Sequence, residues 1–178
     1  MDRGRLFAIF EALDEILQYS SELEIRGGAA VLSLGLEGRA TLDVDVLPSS
    51  RFVDADLRRA CLAAGLDFNP SGGKDLAERE FLEVVPEETL ILPIPSPERP
   101  YNTVFRGHRL VVRTPPAADL VVGKLKRLEP EDLGDIAFLV QRYGLAESDL
   151  KEAFGRLAGR WRADPVIVDN LRYVLEDL

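Results

Sequence analysis

Cysteine, methionine, histidine and tryptophan each occur once in the 178 residues, and each scarcity narrows what the chain can be. Cys61 alone cannot form an internal disulfide, so the fold must rest on its core, and a reducing cytoplasmic setting is expected. His108 has no second imidazole and no serine motif near it in sequence, which sets aside histidine metal sites and serine–histidine catalysis and leaves a structural residue. Apolar runs are short throughout. None approaches the roughly eighteen residues of a membrane span, and Glu11, Asp14 and Glu15 interrupt the N-terminal stretch where a secretory leader needs continuity, so neither is expected. Positive charge is also in deficit, with a formal net charge of −9 and a pI near 4.7. A broad DNA binder gains affinity by releasing counterions from phosphates and needs the opposite balance. Screening over about 8–10 Å still leaves room for a local basic groove.

Hydrophobic residues make up 46% of the chain, ample for one domain with a helical appendage. Leu6, Phe7, Ile9, Phe10, Leu13, Ile16 and Leu17 recur at three- and four-residue spacing, which predicts a helix over 5–19. Glu24-Ile25-Arg26 reads as a short strand stopped by Gly27-Gly28, and Ala29 to Leu34 as a buried helix closed near Gly35 or Gly38. Thr41 to Leu47 alternates polar and apolar, the pattern of a half-buried strand. A helix is expected over 54–64 with Gly65 as its cap, a loop at Ser71-Gly72-Gly73-Lys74, and strands at 80–85, 89–94 and 108–113. Four prolines between Pro93 and Pro100 mark an irregular connection. Thr114-Pro115-Pro116 starts a helix reaching about Leu128. Helical stripes then follow at 133–143, ended by Gly144, at 149–160, and at 166–178 behind Asp164-Pro165. The outline is α+β over 1–115 and helical over 116–178, with the helical part expected to pack on the core.

Two features carry chemistry. Asp43 and Asp45 sit two apart on a strand, so both side chains emerge on one face. Carboxylates that close repel, and a divalent cation between them converts repulsion to attraction. Magnesium, which uses one or two protein carboxylates and completes its shell with water and phosphates, suits such a pair. Gly27-Gly28 lies between a strand and an apparent helix, where bare backbone amides can approach a phosphate.

Their order is more informative than either alone. The stretch Gly27-Gly28-Ala29-Ala30, then Arg39-Ala40-Thr41-Leu42-Asp43-Val44-Asp45-Val46, resembles the signature of the nucleotidyltransferase (polymerase-beta-like) superfamily. More narrowly, it is similar to the small bacterial AbiEii-like and minimal nucleotidyltransferase families of toxin–antitoxin systems. A second block, from Asp119 through Lys124 and Arg127 to Asp132 and Asp135, resembles their downstream segment of lysine, arginine and Asp-x-x-Asp. The resemblance implies a mixed sheet flanked by helices, Mg2+ or Mn2+ held by Asp43 and Asp45, and an NTP as substrate. It implies nucleotide contacts from Gly27, Gly28, Arg39, Thr41, Lys124, Arg127 and Asp135, with Glu83 as the third carboxylate. The implied reaction moves a nucleotide to a protein hydroxyl or an RNA 3′ end, with a toxin or antitoxin as partner. A catalytically inactive nucleotide- or partner-binding module of the same fold is the alternative.

Plainer readings stand beside these. Asp43 and Asp45 also read as a solvated strand face, and Gly27-Gly28 as a turn. Arg39 and Thr41 also suit a surface and a strand. Lys124 and Arg127 suit a solvated helix face, and Asp132 just after Pro130 suits a helix start. Lys151, Arg156, Arg160 and Arg162 around Trp161 read either as a charged surface or as a grip on RNA. On these readings the chain is an interaction protein whose paired acids are surface groups.

Overall fold

A computed structural model of the chain describes residues 1–70 and 79–176. The loop expected at Ser71-Gly72-Gly73-Lys74 and the last two residues of the C-terminal helical stripe lie outside the described residues. The chain forms two compact units. The first comprises Met1–Thr89 and Asn102–Thr114, and the second Leu90–Tyr101 and Pro115–Leu178.

In the first unit, α1 spans Arg3–Ile16, with the Asp2 carboxylate accepting from Arg5 N–H at 2.8 Å as its N-cap. Leu6, Ile9, Phe10 and Leu13 form its buried stripe. The helix stops short of the expected residue 19 because Gln18 and Tyr19 give their N–H groups to the buried Asp56 carboxylate, at 2.9 and 3.0 Å. β1 (Ser21–Arg26) is longer than expected, since parallel pairing with β6 begins at Ser21. It leads directly into α2 (Gly27–Ser33). β2 (Asp43–Val46) and α3 (Asp54–Ala63) follow, and then β3 (Asp67–Phe68) and β4 (Phe81–Val84). The unit closes with β5 (Asn102–Arg106) and β6 (Leu110–Thr114).

Among the described residues these strands make one mixed sheet in the order β3-β4-β2-β1-β6-β5. β1–β6, β2–β4 and β3–β4 are parallel, while β1–β2 and β5–β6 are antiparallel. α1, α2 and α3 cover one face of the sheet, burying Leu23, Ile25, Val44, Val46, Leu82 and Val112. Strand alternation therefore sends Glu22, Glu24, Arg26, Asp43, Asp45, Glu83 and Arg113 to the opposite face. The hairpin turn between β5 and β6 is pinned by Asp14 of α1, whose carboxylate accepts from the N–H groups of His108, Arg109 and Leu110 at 2.7–2.9 Å. Burial pushes the Asp14 carboxyl up, but these three bonds outweigh it and hold it below the ordinary carboxylate range. His108 takes part through its backbone, as a structural residue.

The strand expected at 89–94 does not form. A single 3-10 turn (Glu87–Thr89) ends the first segment of that unit. Beyond it, prolines at 93, 95, 97 and 100 remove the N–H donors a ladder requires. Residues 90–101 are held by the second unit instead. Arg156 Nη1 donates to Ile94 O at 2.6 Å, Trp161 Nε1 to Leu90 O at 2.9 Å, and Arg99 Nη2 to Asp149 at 2.7 Å. The rest of that unit is helical. Its elements are α4 (Ala117–Lys124), α5 (Pro130–Tyr143), α6 (Glu147–Gly155), α7 (Gly159–Arg162) and α8 (Pro165–Glu176). Their core includes Leu120, Val121, Leu125, Ile136, Leu139, Leu150, Ile167 and Leu171. α4 ends four residues before the expected Leu128, which itself has φ +49, and Pro130 keeps Glu129 out of the helical region. No helix among the described residues is long and apolar enough to cross a membrane.

Candidate active site

The site begins at the junction of β1 and α2. Gly27 has φ +66, a left-handed conformation that side-chain-bearing residues rarely adopt. A Cβ built on it would lie 2.6 Å from Asp45 Oδ2, so the carboxylate packs directly against the bare α-carbon. Gly28 is similarly crowded. A Cβ there would stand 3.0 Å from Arg39 Nη2 and 3.1 Å from Thr41 Oγ1. The Thr41 hydroxyl donates to Asp43 Oδ1, and its N–H donates to Met1 O at 2.9 Å. The glycine pair thus touches Asp45, Arg39 and Thr41, and Thr41 carries the contact on to Asp43.

Sheet register adds two groups. Asp45 is the Cα partner of Arg26 on β1 and of Glu83 on β4, so Arg26, Asp45 and Glu83 form a row across one sheet face. Arg26 Nε stands 3.7 Å from Asp45 Oδ2, an ion pair too long for a hydrogen bond. Asp43, Asp45 and Glu83 are all half-buried. An open polar groove of about 560 Å³, lined by Leu42, Gly65, Asp67, Arg79 and Glu80, includes none of these residues in its walls.

Lys124, Arg127 and Asp135 belong to the second unit, where they form an ion-pair cluster with Asp132. Lys124 Nζ lies 3.1 Å from Asp132 and 2.6 Å from Asp135, and all three are buried. Arg127 Nε donates to Asp132 at 2.9 Å. Burial raises the Asp132 carboxyl, but the Arg127 bond and the Lys124 charge prevail and bring it down to about 2. The same carboxylate accepts from Glu129 N–H at 3.2 Å and completes the capping box of α5. Lys124 is therefore a buried counterion for two aspartates and not part of the solvated helix face that was its plainer reading. Asp119 is also committed. Its buried carboxylate takes Arg156 at 2.5 and 3.1 Å, while burial pushes it above the ordinary range against the pull of that arginine.

Residues 4–140 match the profile of a family described as nucleotidyltransferase of unknown function, DUF6036. The chain belongs to this family. No curated protein and no solved structure matches it. The match spans most of the first unit and reaches through α4 into α5, and the mixed sheet flanked by helices is the nucleotidyltransferase-like fold.

The chemistry of the donor set can be compared with what a divalent ion needs. Two hard carboxylate oxygen donors project from one strand, and the cradle at Gly27 is closed to any side chain. Among the described residues no group of three His, Cys, Asp or Glu side chains stands close enough to hold a metal by itself. Asp43 and Asp45 are a donor pair of the kind magnesium takes from a protein, the rest of its shell being water and phosphate. Arg26 is the member of the row that sequence reasoning missed. Its place as the last residue before Gly27 was visible, but its pairing with Asp45 depends on the β1–β2 register.

Proposed function

We propose that the chain is a magnesium-dependent nucleotidyltransferase that moves a nucleotide from an NTP to a protein hydroxyl or an RNA 3′ end. The family supports the general activity. The observation that carries the reading is the contact between Asp45 and the side-chain-free Gly27, with Asp43 tied through Thr41 to Gly28. Asp43 and Asp45 hold the divalent ion, which when bound supplies charge neutralisation on the phosphates. Gly27 and Gly28 let backbone approach the phosphate chain, and Arg39 lies beside them as a cation. The acceptor oxygen attacks the α-phosphorus, the bond to the bridging oxygen breaks, and pyrophosphate leaves. Glu83, in register with Asp45, takes the hydroxyl proton.

The narrower resemblance to AbiEii-like and minimal nucleotidyltransferases supports a place in a toxin–antitoxin pair, with the other member as partner. Incubation with each α-labelled NTP, magnesium and either total RNA or cell extract tests the activity. The proposal expects label on RNA ends or on a protein, lost in Asp43→Asn and Asp45→Asn. Label transfer that survives both substitutions contradicts it. A second reading, a nucleotide- or partner-binding module without catalysis, is favoured by the lack of a three-carboxylate cluster among the described residues. It expects nucleotide binding with no transfer from any of the four NTPs.

A further inference from the structure

Arg26 is the last residue of β1, next to Gly27. Its Nη1 is buried and has no hydrogen-bond partner among the described residues, although the side chain as a whole is 23% exposed. A buried guanidinium N–H without an acceptor is costly, because desolvation is not compensated by a new bond. The other arginines on this sheet face are better served. Arg51 and Arg113 meet Glu22 at 2.7 and 2.6 Å. Among the described residues Arg26 has only the 3.7 Å approach to Asp45, the carboxylate pressed against Gly27. Its Cα sits directly across the ladder from Asp45, so strand pairing fixes its position.

We propose that Arg26 is a nucleotide-contacting residue with two alternating acceptors: it neutralises Asp45 before ligand arrives and turns its unpaired Nη1 to a phosphate oxygen of the incoming nucleotide. The inference rests on the function proposed above. Before loading, a cation beside Asp45 relieves repulsion among Asp43, Asp45 and Glu83, which share one face. A divalent ion arriving at Asp45 competes with that guanidinium. A nucleotide arriving with the ion supplies anionic oxygens, and the planar fork of an arginine can engage one of them while keeping its electrostatic hold on Asp45. Arg26 thus opposes the ion alone and favours the ion with its nucleotide.

The two effects have opposite signs, which a residue of purely structural importance does not produce. Binding of Mn2+ alone, followed by electron paramagnetic resonance, and of MgATP, MgGTP, MgCTP and MgUTP, each by calorimetry, is measured on the wild type, Arg26→Met and Arg26→Lys. Arg26→Met is expected to bind Mn2+ alone more tightly and the best magnesium nucleotide about tenfold more weakly, the size of one charge-assisted hydrogen bond. Arg26→Lys, which keeps the charge without the fork, is expected to leave Mn2+ affinity near wild type and still weaken the nucleotide. Equal nucleotide affinity in the wild type and Arg26→Met overturns the inference while leaving the proposed function standing, as does parallel weakening of ion and nucleotide. A folded wild type that binds none of the four magnesium nucleotides overturns both.

Discussion

Gly27 carries two separate constraints, and they can be measured apart. Its φ of +66 penalises any side chain, and its α-carbon faces Asp45 at a distance that leaves no room for a methyl group. Gly38 supplies the comparison, with φ +75 and nothing within 4 Å of a built Cβ. Gly38→Ala is expected to cost about 1 kcal/mol in urea unfolding, the conformational part alone. Gly27→Ala should cost at least about 1 kcal/mol more, since Asp45 must also move. Equal costs would mean that the carboxylate does not rest on Gly27. At this scale the sequence was informative wherever a period of two decides direction. Asp43 and Asp45 had to share a face, and they do. Glu83 joins them because Leu82 beside it points into the core. Arg26 was invisible as a site residue, because which acid it meets is set by long-range strand register.

Elements were legible where an apolar stripe or a cap was strong. The helix α5 and its Gly144 end, at φ +60, form as read, although Tyr143 of the stripe is exposed, and so does the start of α8 behind Asp164, whose Oδ1 accepts from Val166 N–H at 3.0 Å. Boundaries failed where a distant side chain intervened, as when Asp56 captures the backbone after α1. The strand at 89–94 failed for want of donors, and β5 was missed because its burial follows no clean alternation and its pairing with β6 shifts register between Thr103 and Phe105. The start of α5 gives a prediction of its own. Asp132 has a folded pKa of about 2 against an ordinary 3.8. A depressed carboxyl stabilises the fold above its unfolded pKa, and that contribution is lost as pH falls through about 4 toward about 2. Between pH 5 and pH 2 the wild type should therefore lose about 1–2 kcal/mol more than Asp132→Asn does, read from urea midpoints. Identical pH profiles would show that the Lys124–Arg127–Asp132 cluster contributes no charge-dependent stability.

For the molecule as a whole, the chain divides at Thr114/Pro115, and the proline-rich segment 90–101 joins the helical unit. Charge along the sequence gave no hint of that exchange, which depends on Arg99 meeting Asp149 and Glu152 of α6 and on Arg156 donating to Ile94 O. A net charge of −9 makes a polyanionic ligand unwelcome over most of the surface. Under the proposed function, recognition of a nucleotide is local, through Arg26, Arg39 and a divalent ion on the acidic row. That convergence of Gly27, Asp43 and Asp45 on one metal–nucleotide site is the central claim, and thermal unfolding with magnesium and each NTP tests it most directly. At a nucleotide concentration about 100 times Kd, a ligand selective for the folded state adds about 2.7 kcal/mol, which raises Tm by several degrees. The wild type should show that rise only with metal and nucleotide together, and Asp45→Asn should lose it while remaining folded. A rise of the same size in Asp45→Asn, or none in the wild type with any of the four nucleotides, would contradict the account.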